Sequence, residues 1–166
     1  MNYREYVAIV KSQISSRSYI EQLKFAVLVC QKLYFYYQKF YTIYEWGNPD
    51  LLIDAILLCQ KAIDNSTDIN QIKKILPEID KIVPETEDFG NELGSYALNA
   101  SAVVYETLAF IADRNSNHIY NIATYYTDTV DFKIQEEKSL SQEEKENHPL
   151  MIEAWNFVIE ETRKHG

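Results

Sequence analysis

The chain has 166 residues and a net charge of −9, with 46% hydrophobic residues but only 4 glycines and 4 prolines. This length suits one domain, able to bury roughly 68–70% of its unfolded surface without metals or disulfides. The composition argues against a disordered chain, and so few turn formers argue against an all-β one. The charge is unevenly placed. Residues 1–83 carry 10 Lys/Arg against 9 Asp/Glu, whereas residues 84–166 carry 6 against 16. An acidic half of this kind repels phosphate backbones and anionic lipid, so neither nucleic acid nor a membrane surface is an expected partner. It serves either solubility or the steering of a basic protein.

Tyr3, Tyr6, Val7, Val10 and Ile14, spaced three and four apart, predict a first helix from about Asn2 to Ile14. Arg4 and Glu5 interrupt the start and no apolar signal region follows. The longest apolar run, Phe25 to Cys30, is far below the roughly 20 residues of a membrane span, so a cytoplasmic protein is expected. Ser18 and Glu21 have capping-box spacing and open a second helix carrying Ile20, Leu23, Val27, Cys30, Tyr34 and Tyr37. That helix runs on to about Glu45, with or without a bend, and Gly47 is its stop signal. Asn48 and Pro49 then form a cap and first helical position for a helix reaching about Asp64.

Asp68 with Gln71 opens a helix weakened at Pro77 and finished by Pro84. Residues 84–91 read as a loop, Glu92–Asp113 as a long Ala- and Val-rich helix, and His118 to about Lys133 as the next, after a connector at 115–117. Residues 135–147 form a polar, charge-dense connector, either mobile or a short solvated helix. Asn147 is the expected cap of a last helix, with Pro149 just inside it and Leu150, Trp155, Phe157 and Val158 available for packing. With no repeat or domain linker, the fold class is all-α: an irregular bundle of about six to eight helices, one domain over 1–166.

Convergent chemistry is sparse. His118, His148 and His165 stand far apart, without the i,i+4 pairing that zinc requires on a helix and without Glu three residues before any of them. Gly47, Gly90, Gly94 and Gly166 make no phosphate-cradling loop. The paired carboxylates at 136–137, 143–144 and 160–161 lie in polar sequence, where nothing shifts one member toward acid–base work. Cys30 and Cys59 sit in apolar helical stretches and read as buried reduced thiols. No catalytic residue, metal or cofactor is therefore expected. The densest feature is aromatic: Tyr34, Phe35, Tyr36, Tyr37, Phe40, Tyr41, Tyr44 and Trp46. Phe35, Tyr36, Phe40 and Tyr44 can fill the core while the others reach a surface; core packing is the default reading of the stretch, and an interface, where Tyr and Trp are enriched, is the alternative.

Several segments taken together resemble the YjaG-like bacterial proteins, a domain of unknown function. They are Phe25-Ala26 leading to Tyr37-x-x-Phe40 and Trp46-Gly47-Asn48-Pro49, then the acidic run from Pro84 to Phe89. Ala97-Leu98-Asn99-Ala100, and His148-Pro149-Leu150 followed by Glu153, complete the pattern, which spans roughly residues 19–160. The resemblance implies a small, all-helical, cytosolic bacterial protein and supplies no activity. Asn99 stands where that family usually has Asp, which argues against an acid role there.

The expected function is a non-catalytic protein-binding module, most simply an acidic immunity or inhibitor protein that neutralises a basic toxin, such as a nuclease, by masking its active site. Its partner surface draws on Glu85, Glu87, Asp88, Asp113, Asp128, Asp131, Glu136 and Glu137, with Tyr125 and Tyr126 as anchors. The alternatives are a self-associating housekeeping bundle, a homodimer through the aromatic stretch, and a ligand binder or enzyme with an unrecognised pocket.

Overall fold

A computed structural model describes residues 1–64, 66–89 and 92–163, so His165, Gly166, Gly90 and Asn91 lie outside the described residues. Several helices start where a side chain satisfies a free backbone N–H. In α1 (Tyr3–Ser15) the Asn2 side chain accepts from the Glu5 amide at 2.9 Å. In α2 (Tyr19–Tyr44) the Ser18–Glu21 capping box closes in both directions. With no Gly or Pro inside it, α2 runs as one continuous helix of 26 residues. It stops with Glu45 in left-handed backbone (φ 53°), ahead of Gly47 (φ 95°). Asn48 then caps α3 (Pro49–Ile63).

The helix α4 (Ile69–Asp80) is capped by Asp68, which accepts from Asn70 rather than forming a box with Gln71. Pro77 does not end it, since the lost N–H falls in the last turn. A 3-10 turn at Thr86–Asp88 follows, within the expected loop. Next come α5 (Glu92–Asp113) and α6 (Asn117–Glu137), the latter reaching four residues past the expected Lys133. The polar connector is partly helical: α7 (Gln142–Glu146) is closed by a Ser141–Glu144 capping box. Asn147 terminates α7 instead of capping α8 (Pro149–Arg163). The His148 ring takes the capping role, its Nδ1 accepting from the Leu150 amide at 3.1 Å.

The described residues are all helix, turn and loop around one core. Its centre is α5, packed mainly against α2 and α6 and also against α3 and α4. Small residues allow that crowding: Ala97, Ala100, Ser101 and Ala102 are buried beside Val103, Val104 and Leu108. Burying each larger side chain there contributes roughly 1.5–3 kcal/mol. Cys30 and Cys59 are buried free thiols, as read. Burial pushes the Cys30 thiol up to about 12 and raises Cys59 as well, so neither supplies a thiolate near neutral pH.

The aromatic assignment needs correction. Tyr37 and Phe40 are fully buried, Tyr36 and Tyr44 are half-buried, and Phe35 is 48% exposed. The inward face of α2 runs through Ala26, Cys30, Leu33, Tyr37 and Phe40, at steps of three and four. Phe35 lies two residues from Tyr37, about 200° around the helix, and therefore points away.

Candidate functional site

Surface openings lie where α1 leans on α8 and leaves a gap along α6. Two chambers open there. The first, about 330 Å³, is walled by Tyr3, Met151 and Trp155 on the apolar side and by Asp128, Asp131, Lys145 and Glu146 on the polar side. The second, about 350 Å³, lies between α1 and the first half of α6 and is lined by Tyr6, Lys11, Asn117, Tyr120 and Asn121 among others. Tyr3 and Thr127 border both. Asp128 and Asp131 share a face because they are one helical turn apart. Asp131 pairs with Lys145 at 3.4 Å and accepts from Gln135 at 3.2 Å. Asp128 makes no ion pair among the described residues; partial burial and the neighbouring Asp131 raise its pKa, while Lys145 opposes them. Glu146 accepts the Tyr3 backbone N–H at 2.6 Å, tying α7 to the start of α1.

Between the chambers stands an aromatic stack: Tyr6 and Trp155 lie 4.9 Å apart with planes 10° from parallel. Tyr6 is only 4% exposed, and its buried hydroxyl has no hydrogen-bond partner among the described residues. Burial raises its pKa well above the ordinary phenol range. Sequence spacing marked Tyr6 as a core position and Trp155 as packing, but no local signal marks a side chain as bordering a cavity.

The residues expected to form a partner surface are dispersed. Glu85, Glu87 and Asp88 are exposed on the 3-10 turn, which is held to the start of α5 by Phe89 packing against Gly94. Glu136 and Glu137, exposed at the end of α6, lie at that same end of α5, because the Tyr96 hydroxyl donates to Glu136 at 2.5 Å. Asp113 is at the far end, roughly 25 Å along α5 from Tyr96 at 1.5 Å per residue. Asp128 and Asp131 lie between, lining the first chamber. Tyr125 is half-buried beside Glu106 and Asp128. Tyr126 is half-buried with its ring 5.0 Å from Phe157, turned toward α8 rather than away from the protein. Asn99 is buried and donates to Thr129 at 3.1 Å, a tie between α5 and α6.

Asp113 belongs to a separate clasp. His118 donates from Nδ1 to Glu106 at 2.6 Å and from Nε2 to Asp113 at 3.0 Å, an arrangement that requires the imidazolium. Burial opposes the charge, but the bonds to Asp113 and Glu106 outweigh it and hold the His118 pKa above 6.5. Slight burial of Asp113 is likewise outweighed by His118, and its pKa is lowered. A raised histidine pKa contributes stability that is complete below the unfolded value and lost as pH rises through the folded one. A lowered Asp pKa contributes stability lost as pH falls through that value. The clasp therefore works between the carboxylate range and the raised His118 midpoint. Thermal unfolding is expected to lose about 1 kcal/mol or less from this source as pH rises above 6.5, the pair being solvent-screened, and His118→Gln should remove that slope.

No group of three or more His, Cys, Asp or Glu among the described residues has the geometry to hold a metal ion. Among them, too, no helix is long and apolar enough to cross a membrane. Against known families, residues 10–164 match the model described as "Protein of unknown function (DUF416)". The chain belongs to the DUF416 family. No curated protein matches it. The crystal structure of a DUF416 family protein from Shewanella baltica OS155 is similar to this chain with a TM-score of 0.80 and 22% identity, over 93% of this chain and 86% of that one. At that identity the likeness shows the fold, and the family description assigns no chemistry to it.

Proposed function

We propose that this DUF416 protein is a non-catalytic binding module for a basic protein, acting like an immunity protein that masks the active site of a basic toxin such as a nuclease. In this reading it works in the bacterial cytoplasm and falls within the YjaG-like group of its family. The observation that supports the reading is that Glu85, Glu87, Asp88, Glu136 and Glu137, drawn from distant segments, are all exposed near the start of α5. Such a surface speeds encounter with a cationic partner and disfavours anionic ones.

The test is a pull-down from the source cell with the chain as bait, at low and moderate salt. One stoichiometric basic partner, released as salt rises, is the expected result. Glu87 and Glu137 are exposed, so reversing both to lysine leaves the fold intact. That variant is expected to bind the partner at least tenfold more weakly, or about 1.4 kcal/mol. Recovery of bait alone, or undiminished capture by the variant, removes this surface and turns attention to self-association.

A further inference from the structure

Two surfaces of this chain complement one another across α2. The first is a groove of about 210 Å³ between α2, α6 and α8. Leu33, Tyr36, Val130 and Ala154 line it, together with Phe35 and Leu150, which are 48% and 39% exposed. Its charged lining is Lys32, Lys133 and Glu153, all exposed. The groove is therefore apolar with a positive balance, on a chain whose net charge is −9. Small-molecule sites typically enclose roughly 300–1,000 Å³. This smaller recess suits the side chains of a docking helix.

The second surface is the outer face of α3. Leu57 is 48% exposed there, and Asp50, Asp54 and Lys61 are exposed around it. These four recur at steps of four, three and four, the spacing by which a helix presents one face to a groove. Two acids and a base on α3 thus match two bases and an acid in the groove. The two surfaces cannot meet within one molecule. Tyr34 faces α3, its hydroxyl donating to the Pro49 carbonyl at 2.9 Å, whereas Tyr36 lines the groove. Residues two apart on a helix are about 200° apart, so α3 and the groove lie on opposite flanks of α2. Exposed Phe35 stands between them.

A second copy satisfies this arrangement. When two molecules face each other α2 to α2, about a twofold axis running along α2, each α3 falls opposite the other's groove. We infer that the chain forms this twofold pair, each Leu57 seated in the other copy's groove with Asp50 and Asp54 toward Lys32 and Lys133. The two Phe35 side chains then meet near the axis. The interface uses none of the acidic residues assigned to the basic partner, so either assignment can fail without the other.

The test is sedimentation velocity of the intact chain from micromolar to millimolar concentration. Reversible conversion of monomer to dimer is expected. Lys32→Glu with Lys133→Glu, and separately Asp50→Lys with Asp54→Lys, should each weaken dimerisation by roughly tenfold or more. An equimolar mixture of the two variants should dimerise again, because each α3 then meets a groove of opposite charge. Misfolded variants cannot produce that rescue. A chain that stays monomeric throughout overturns the proposal, whatever the variants do. Dimerisation that either folded variant leaves unchanged overturns it too, as does a mixture of folded variants that fails to pair.

Discussion

Replacing Gly47 by alanine is expected to destabilise the protein by roughly 2–5 kcal/mol, one of the largest effects of any single methyl group in the chain. Two causes act together. Gly47 has φ 95°, a backbone that L side chains rarely adopt. A Cβ built there would also lie 2.2 Å from the Tyr37 hydroxyl oxygen. That oxygen is pinned in place: it donates to the Ile82 carbonyl at 2.6 Å and accepts from the Asn48 amide at 3.2 Å. One tyrosine thus joins α2, the turn into α3 and the segment after α4. Its pKa is pushed up to about 12, chiefly by burial. Urea unfolding should show the loss as a lower midpoint. In a Tyr37→Phe background the same alanine should cost less, because the hydroxyl it meets is gone, and a double-mutant cycle measures the difference. A wild-type midpoint for Gly47→Ala would show that this turn imposes no such restraint.

Phe40→Ala is expected to cost about 3–5 kcal/mol, whereas Phe35→Ala should change stability by only about 0.5 kcal/mol or less. Both residues lie in the same aromatic run of α2, and the difference comes from position. Phe40 is fully buried, with ring centroids 4.7 Å from Phe89, 5.1 Å from Tyr44 and 6.2 Å from Trp46. Truncating it leaves a cavity beneath Phe89, which anchors the turn carrying Glu85, Glu87 and Asp88. Thermal unfolding of the two variants separates them. Hydrogen exchange should in addition quicken around 86–89 in Phe40→Ala alone. Equal effects would mean that Phe40 is no more a core residue than Phe35.

These two variants also mark how far the sequence reaches. Capping residues and apolar spacing are local, so Ser18 with Glu21, Asn48 with Pro49, and the span from Glu92 to Asp113 could be read directly. Where two signals competed, the result depended on neighbours. Asn147 ends α7 because the Ser141–Glu144 box nucleates that helix, which passes the next cap to His148. Pro77 stays inside α4 because only its last turn is affected. The all-helical class followed from composition and periodicity, and the lack of a zinc or phosphate signature from residue spacing alone.

The candidate sites depended on tertiary structure. Counting charges located the acidic half of the chain, but only the antiparallel course of α5 and α6 puts Glu136 at the same end as Glu85 while sending Asp113 to the other. The spacing of Tyr6 and Trp155 identified them as apolar-face residues, and both are buried. Nothing in either segment revealed that their stacked rings would stand between two chambers, or that one hydroxyl would lack a partner among the described residues. Local hydrogen bonding and side-chain periodicity act within a few residues and are written in the chain. A cavity exists only where helices distant in sequence fail to close on one another, and that is decided by how α1, α6 and α8 pack.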